Sequence, residues 1–293
     1  MTSRIVVFGA TGYTGRLVAE RLAAQGARPV LAGRDERRLG ELAERLGGLE
    51  TVKADAMRRN SVFAAVEPGD VLISTVGPFA KWGDAAVRAA IAATGATYID
   101  STGEPVFIRR VFVEMGGPAE RVRTFDVKGK ARSAISVGGA EHFTLPPAHA
   151  ALLEVNVYLG WFGPLAKPLQ AGALAGTVAL KLPGMRSVLQ AAGERLVSLA
   201  GAPEPGTTPD TLSWIAAVAY DPLGEPLAEV HVTGTDAYDF TASFMAWAAQ
   251  RAAGGNRPHV VGAAGPVEAF GLDALEEGCA EAGLTRLRDP AAV

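Results

Sequence analysis

The chain has 293 residues, of which 48% are hydrophobic and 20% are charged, and its formal net charge is -3. A chain of this length can bury a large core, and this composition is typical of a folded globular protein. Because there is no excess of positive charge, we expect no nucleic-acid partner. The single cysteine, Cys279, excludes a disulfide within the chain, and no spacing of cysteine and histidine indicates a bound metal.

The hydrophobic segments are too interrupted to cross a membrane. The most apolar one, residues 169–185, is broken by glycines, Lys181 and Pro183, whereas a membrane-spanning helix needs about 20 consecutive apolar residues. The first residues also lack the pattern of a secretory signal peptide. We therefore predict a cytoplasmic protein without a transmembrane segment.

Strand and helix patterns alternate five times in the first part of the chain. Short apolar runs, rich in β-branched residues as buried parallel strands are, alternate with amphipathic helical patterns. The predicted strands are residues 5–10, 29–33, 51–55, 70–79 and 97–104, and a last helical pattern covers residues 105–115. This alternation predicts an α/β fold, a Rossmann-type doubly wound parallel sheet, over residues 1–118.

The pattern changes after residue 118. The predicted elements are, in chain order, two strands within residues 124–139, a strand within residues 154–163, a helical stretch at 168–200, a loop at 201–210, a hairpin within residues 214–236 and two C-terminal helices within residues 240–284. They predict a second, α+β domain over residues 119–293, built on a mostly antiparallel sheet. We assign this domain to substrate binding and dimerisation, since an exposed antiparallel sheet can form the face of a homodimer.

Three glycines at three-residue spacing follow the first predicted strand: Gly9, Gly12 and Gly15. A strand, a G-x-x-G-x-x-G turn and a helix together resemble the phosphate-binding element of dinucleotide-binding proteins. The first glycine allows the tight turn, the second lets the backbone approach a pyrophosphate, and the third allows close packing of helix on strand. Neighbouring hydroxyl groups can add donors to the phosphates: those of Thr11, Tyr13 and Thr14. The alternative interpretation is a strand–helix turn without a ligand.

The residues after the second predicted strand distinguish between the two nicotinamide cofactors. An acidic residue here binds the ribose 2′-hydroxyl of NAD, whereas an arginine suits the 2′-phosphate of NADP. Arg34 directly follows this strand, so we predict NADP(H) as the cofactor, with Arg37 or Arg38 adding positive charge. Asp35 keeps NAD as an alternative cofactor. The alternative for Arg37 and Arg38 is that they lie on the solvated face of a helix and bind no ligand.

The next three strand ends are expected at the same edge of the sheet, where doubly wound folds bind their ligands. Asp55 is the last residue of the third predicted strand and is placed either to hydrogen-bond the adenine amino group or to cap the next helix. The turn after the fourth strand contains Val76, Gly77 and Pro78 and either borders the ribose and nicotinamide or is a plain tight turn. Residues 100–104 form the end of the fifth predicted strand segment and are expected to reach the nicotinamide ribose or the substrate.

Four linked motifs, GATGYTGRLVAERL, LAGRD, STVGPF and YIDSTGE, resemble those of the saccharopine dehydrogenase-like oxidoreductases. The similarity is greatest to the trans-acting enoyl reductases of polyketide-lipid assembly, which the later segments SAISVGGAEHFTLP, VYLGWFG and EAFGLDALEEGCAEAGL also resemble. The resemblance implies NADP(H) binding at Gly9, Gly12, Gly15, Arg34 and the Gly77 turn. It also implies a role in lipid metabolism, an acyl-type substrate and an acyl-carrier or polyketide synthase partner.

The chain departs from the family in its middle. Only about twenty residues separate Glu104 from the segment TFDV, where family members continue into a further strand and a long part of the substrate domain. A short-chain dehydrogenase is disfavoured, because these enzymes use a Tyr-x-x-x-Lys pair to transfer a proton and no tyrosine here has a lysine four residues later.

The candidates for acid–base chemistry are an adjacent acid and histidine. Hydride transfer from a nicotinamide needs a proton donor, and His142 is predicted to be that donor, with Glu141 setting its charge. The alternative is a turn at a strand end with a locally bonded histidine. For the whole chain, the lead prediction is an NADP(H)-dependent reductase of an enoyl or similar acyl group. The alternatives are a saccharopine-type amino-acid imine dehydrogenase and a non-catalytic NADP(H)-binding sensor or assembly protein.

Overall fold

The computed structural model describes residues 3–102, 104, 121–127, 130–149, 151–160, 167, 171, 212–254 and 260–287. The helix predicted at 105–115, nearly all of the helical stretch at 168–200 and the loop at 201–210 lie outside these residues. The chain divides into two compact units, one formed by residues 1–111 with 205–288 and the other by residues 112–204 with 289–293.

A five-stranded parallel sheet forms the centre of the first unit. Its strands are β1 (Ile5–Phe8), β2 (Val30–Gly33), β3 (Thr51–Lys53), β4 (Val71–Ser74) and β5 (Thr97–Asp100), in the order β3-β2-β1-β4-β5. β1, β2 and β4 are buried along their whole length, which is why they are uninterrupted apolar runs. The chain leaves β1 towards β2 on one side and reaches β4 on the other, and this reversal marks the ligand crevice of doubly wound sheets.

Helices cover both faces of this sheet. α1 (Tyr13–Ala24) and α2 (Glu36–Arg45) bury Val18, Leu22, Leu39 and Leu42 against one face. On the other face, α3 (Arg59–Phe63) and α4 (Phe79–Ala92) bury Val62 and a row of alanines from α4. The predicted fold class is therefore confirmed.

A helix from the far end of the chain completes the first of these layers. The 17-residue helix later in the chain, Ala237–Ala253, buries Ala242, Met245, Ala246 and Ala249 in the same cluster as Val18 of α1 and Ile73 of β4. The Ser3 N–H donates a hydrogen bond to the Ala253 carbonyl over 3.1 Å. This packing differs from the predicted division at residue 118, because the layer beside α1 is supplied by residues more than two hundred positions later.

The remaining elements of the first unit form a small antiparallel sheet with two helices. Its strands are β9 (Ser213–Tyr220), β10 (Pro226–Gly234) and β11 (Leu284–Arg286), in the order β11-β10-β9. The predicted hairpin is confirmed, with Gly224 in the turn at a φ of +88°. Two helices, Pro266–Phe270 and Leu272–Glu281, connect the Ala237–Ala253 helix to β11.

The described part of the second unit is an antiparallel sheet and one helix. β6 (Val122–Val127), β7 (Lys130–Val137) and β8 (Val157–Leu159) pair in that order, and helix α5 (Glu141–Ala148) lies between β7 and β8 in the chain. In chain order the later helices are α6 (Ala237–Ala253), α7 (Pro266–Phe270) and α8 (Leu272–Glu281). Across the described ranges, no helix combines the length and apolarity needed to span a bilayer.

Candidate functional site

The glycine turn after β1 folds back on itself at the carboxyl edge of the parallel sheet. Gly9 has a φ of +90°, a conformation that side chains disfavour, and its N–H donates to the Ala32 carbonyl of β2 over 2.9 Å. The Gly12 N–H then donates to the Gly9 carbonyl, also over 2.9 Å. These bonds set the position from which α1 begins.

Gly9 and Gly15 are required by packing inside the protein. A Cβ atom on Gly9 would lie 2.7 Å from Thr75 Oγ1 and 2.9 Å from Val76 Cγ2, in the turn after β4. A Cβ atom on Gly15 would lie 2.6 Å from the same Thr75 hydroxyl and would overlap the Gly9 carbonyl oxygen. The glycine turn, α1 and the turn after β4 therefore meet at one close-packed point.

Gly12 differs from the other two glycines because it is exposed and its surroundings are open. The nearest atom to a Cβ at this position, within the described chain, is the Gly9 carbonyl oxygen at 3.2 Å. Gly12 is also the N-cap of α1, and it brings no side chain to the helix end. Among the described residues no acceptor is recorded for the N–H groups of the first turn, those of Tyr13, Thr14 and Gly15. Unbonded N–H groups at a helix N-terminus bind anions.

Of the hydroxyl-bearing side chains predicted at the phosphates, Tyr13 packs elsewhere. Its ring makes an edge-to-face contact with Tyr238 in the first turn of α6, with the ring centroids 5.0 Å apart. Its hydroxyl is buried, and burial raises its pKa. Thr11 and Thr14 are partly exposed at the turn. The Thr11 carbonyl accepts a hydrogen bond from Arg38 Nη2 over 2.9 Å, so Arg38 ties α2 to the glycine turn.

The residues after β2 have separate partners. Asp35 caps α2, where its Oδ1 accepts the Arg38 N–H over 3.1 Å. Arg37 pairs with Glu41 one helical turn later, with Nη1 and Oε1 2.5 Å apart. Arg34 is exposed, and within the described parts of the chain no hydrogen bond or ion pair engages its guanidinium. Arg34 is therefore the cation at this strand end that is available to a ligand.

Asp55 is half-buried after β3 and forms a local turn. Its Oδ1 accepts the Met57 N–H over 3.0 Å, and α3 begins later, with Arg58 as its N-cap. The alternative prediction that Asp55 caps this helix is wrong, because three residues separate it from the first helical turn.

The turn after β4 is held by a carboxylate from beyond β5. Glu104 Oε1 accepts the Phe79 N–H over 2.7 Å, and Oε2 accepts the Ala80 N–H over 2.8 Å. Its carboxylate therefore caps α4, whereas the sequence predicted contact with the nicotinamide ribose or the substrate. Sequence reasoning missed this cap because the partners lie 25 and 24 positions apart.

Three polar side chains lie on one face of the sheet where β4 and β5 end. Ser74 is fully buried and pairs in register with Asp100, and Tyr98 lies two residues before Asp100 on the same strand. Burial raises the pKa of Asp100, whose Oδ1 accepts the Thr102 N–H over 3.0 Å. Burial, together with the charge of Asp100, raises the pKa of Tyr98 far above its ordinary value. Both groups are therefore held towards their protonated forms.

The predicted proton donor belongs to the second unit. His142 Nδ1 lies 3.3 Å from the Gly139 nitrogen and 3.2 Å from its carbonyl oxygen, so this ring nitrogen contacts the preceding turn. Glu141 is exposed, and no hydrogen bond between it and His142 is recorded in the described segments. The catalytic roles of both residues stay predictions.

His231 has a partner two residues away on the same strand. His231 on β10 is buried, and its Nε2 lies 2.7 Å from Glu229 Oε1. The alternation of a strand places positions i and i+2 on the same face, and this is the signal that could have found the pair.

The fold and the glycine turn define an NAD(P)-binding Rossmann domain. A protein-family model described as NAD(P)H-binding matches residues 9–101, which include the glycine turn and all the strand ends described above. The predicted nicotinamide cofactor class is thereby confirmed, without a distinction between NAD and NADP.

Relatives of this domain carry the name that the sequence motifs suggested. Proteins named trans-acting enoyl reductase from Mycobacterium leprae and Mycobacterium tuberculosis are 40% identical over 111 residues. A further M. tuberculosis relative, also named for trans-acting enoyl reduction, is 43% identical over 111 residues. Each match covers 36% of this chain and 26% of the relative, so the chain spans about a quarter of the length of these relatives.

The resemblance is therefore confirmed over the N-terminal third of the chain, and the similarity of the later motifs stays a prediction.

Among solved structures, saccharopine dehydrogenase (L-Glu forming) from Saccharomyces cerevisiae is 21% identical with a TM-score of 0.32, covering 36% of this chain and 23% of that one. An actinorhodin polyketide ketoreductase with NADPH is 25% identical with a TM-score of 0.24, covering 26% and 33%.

Proposed function

We propose that this protein is an NADP(H)-dependent oxidoreductase that transfers hydride to an enoyl or similar unsaturated acyl group. The observation that carries the proposal is the open position at Gly12, where the first N–H groups of α1 lack acceptors among the described residues. A pyrophosphate fits such a position, because it is anionic and needs backbone donors without an intervening Cβ.

The preference for NADP(H) is supported by the different surroundings of Arg34 and Asp35. Arg34 is exposed, and the described residues engage its guanidinium in no bond, so it can bind a 2′-phosphate. Asp35 caps α2 through the Arg38 N–H, which leaves its carboxylate less available to a ribose 2′-hydroxyl. NADP(H) therefore suits this strand end better than NAD(H).

The other predicted contacts extend along the same edge of the sheet. We assign Thr11 and Thr14 to the phosphates, Asp55 to the adenine, and Val76, Gly77 and Pro78 to the ribose and nicotinamide. Tyr13 is assigned to support of the turn through its contact with Tyr238. When bound, the reduced nicotinamide supplies a hydride to the substrate. The residues of this chain hold and orient the cofactor.

The acyl substrate is proposed from the relatives named trans-acting enoyl reductase. On this proposal His142 delivers the proton that completes reduction of the double bond, and Glu141 adjusts its charge. The same names favour a substrate carried by an acyl-carrier or polyketide synthase partner. A homodimer through an antiparallel sheet also stays a proposal.

The first test measures cofactor binding. NADPH and NADH are each titrated into the protein, and the quenching of its intrinsic fluorescence gives the Kd of each nucleotide. We expect NADPH to bind at least tenfold more tightly than NADH, and Arg34→Ala to abolish the difference. Arg37→Ala is the matched control, because Arg37 is paired with Glu41, and it should leave the preference unchanged. If neither nucleotide binds to the wild type, the proposal fails.

The second stage separates the candidate activities. If NADPH is consumed in the presence of crotonyl-coenzyme A, as measured by its absorbance, the protein is an enoyl reductase. Loss of this activity in His142→Ala supports the role of His142 as proton donor. Consumption only with an amino-acid imine identifies the saccharopine-type alternative. Tight NADPH binding without any turnover identifies a sensor or assembly protein.

A further inference from the structure

The first turn of α4 is capped from outside its own segment. Pro78, the N-cap residue, offers no side-chain acceptor to the helix. The Glu104 carboxylate takes that role, with one oxygen on the Phe79 N–H at 2.7 Å and the other on the Ala80 N–H at 2.8 Å. A carboxylate at a helix N-terminus is favoured both by these two bonds and by the helix dipole.

The capped turn is in direct contact with the glycine turn. Thr75 Oγ1 donates to the Phe8 carbonyl over 3.1 Å, and the Thr75 and Val76 side chains fill the space that a Cβ on Gly9 would need. The segment between Thr75 and the start of α4 has one end on the glycine turn and the other on Glu104. Its position at the crevice therefore depends on both.

Glu104 is itself held by the chain that leaves β5. Its N–H donates to Thr102 Oγ1 over 3.1 Å, and the Thr102 N–H donates to Asp100 Oδ1 over 3.0 Å. These bonds connect the end of β5 to the start of α4 through three short steps. They join the two strand ends that border the nicotinamide half of the proposed cofactor site.

We infer that Glu104 is a positioning residue for the nicotinamide half of the cofactor, acting through the turn at residues 75–78. The inference rests on the proposed function, since it concerns the same cofactor site. Only a carboxylate offers two oxygen acceptors here. A glutamine presents a single oxygen and leaves one of the two N–H groups without an acceptor. The turn then loses one of the two hydrogen bonds that hold it to residue 104, while the adenosine half of the site, at β2 and β3, is unchanged.

The test compares whole NADPH with adenosine 2′,5′-bisphosphate, which lacks the nicotinamide mononucleotide half, that is, the nicotinamide, its ribose and the phosphate attached to that ribose. For Glu104→Gln we expect the Kd for NADPH to rise about tenfold or more, since a partly buried N–H group left without an acceptor weakens the turn that it helps to hold. The Kd for adenosine 2′,5′-bisphosphate should change less than about twofold. A merely structural role for Glu104 would weaken both ligands together, and that result, or no change in either, overturns the inference.

Two further variants keep the test decisive. Asp84→Asn is the control on the same helix, because Asp84 pairs with Arg88 away from the turn, and both Kd values should stay as in the wild type. Thr102→Val removes the acceptor of the Glu104 N–H and should shift the NADPH affinity in the same direction by a smaller factor. This variant decides the question if Glu104→Gln does not fold. If the wild type binds neither ligand, the proposed function fails and not the role of Glu104 within it.

Discussion

Gly15 in the first turn of α1 lies directly against the carbonyl oxygen of Gly9, and the Thr75 hydroxyl closes the same point from the other side. A methyl group at position 15 has no space, since the neighbours are backbone and a bonded hydroxyl. Gly15→Ala should therefore destabilise the protein by about 1–3 kcal/mol through overpacking. The loss is measured as the difference in the free energy of unfolding in urea, with circular dichroism as the signal. The control is Gly40→Ala in α2, where no atom of the described chain lies within 4 Å, and which should stabilise by about 0.5–1 kcal/mol.

Gly12→Ala separates binding from folding. The Cβ would approach only the Gly9 carbonyl, at 3.2 Å, so the free energy of unfolding should fall by less than about 1 kcal/mol. The same methyl group would stand where the pyrophosphate must approach the backbone. We expect NADPH affinity to fall more than tenfold in a fluorescence titration. Unchanged affinity would mean that the phosphates do not lie over this turn.

The Arg4 and Asp70 pair fixes the start of β1 beside the start of β4. Asp70 is 3% exposed, and it accepts hydrogen bonds from Arg4 Nη2 over 2.8 Å and from the Glu67 N–H over 2.8 Å. Arg4→Met leaves the buried carboxylate without its cation and should cost about 2–3 kcal/mol, somewhat less than a fully buried pair because Arg4 is partly exposed. Arg88→Met, which breaks the exposed pair with Asp84, should cost less than about 1 kcal/mol. Equal losses in urea unfolding would contradict this ranking.

The pKa of Asp100 makes a prediction about pH. Burial raises this pKa in the folded protein above its value in the unfolded chain. Between the two values the folded state binds more protons, so the contribution of Asp100 to stability decreases as pH rises through that interval. Asp100→Asn removes this loss and keeps the acceptor for the Thr102 N–H. We expect the variant to melt at a higher temperature than the wild type at pH 8. The advantage should shrink as the pH is lowered, because the wild-type carboxyl then becomes protonated as well. An equal or lower melting temperature at pH 8 would show that Asp100 is not penalised by burial.

The packing of α6 on the parallel sheet can be tested with one charge. Ala249 is fully buried in the cluster that includes Val18 and Ile73. Ala249→Asp places a carboxylate there without a partner and should cost more than about 4 kcal/mol, or prevent folding. Ala237→Asp, at the exposed first position of the same helix, should be neutral or slightly stabilising. Thermal melts of both variants measure the difference. If Ala249→Asp is as stable as the wild type, α6 does not form part of the nucleotide-binding unit.

Local patterns predicted the parts of this protein that neighbouring residues decide. β1, β2 and β4 were readable as buried strands because parallel strands covered on both faces are apolar throughout. The spacing of Gly9, Gly12 and Gly15 indicated the turn and the class of cofactor. A tight turn, a close approach of phosphate to the backbone and the packing of a helix on a strand each need a glycine at a fixed place in this short segment. Arg34 was chosen from its position directly after β2, whereas the partners of the two later arginines needed coordinates: Arg37 pairs with Glu41, and Arg38 donates to the Thr11 carbonyl.

The sequence by itself determined the Rossmann class, the glycine turn and the edge of the sheet where a nicotinamide cofactor belongs, because propensity and hydrophobic period act over short stretches of chain. Only the tertiary structure decided that α6 covers the sheet beside α1, that Arg38 holds the Thr11 carbonyl and that Glu104 caps α4. These contacts join residues from 25 to more than two hundred positions apart. No periodicity encodes such a pairing, since it follows from which surfaces remain to be buried once the sheet has formed.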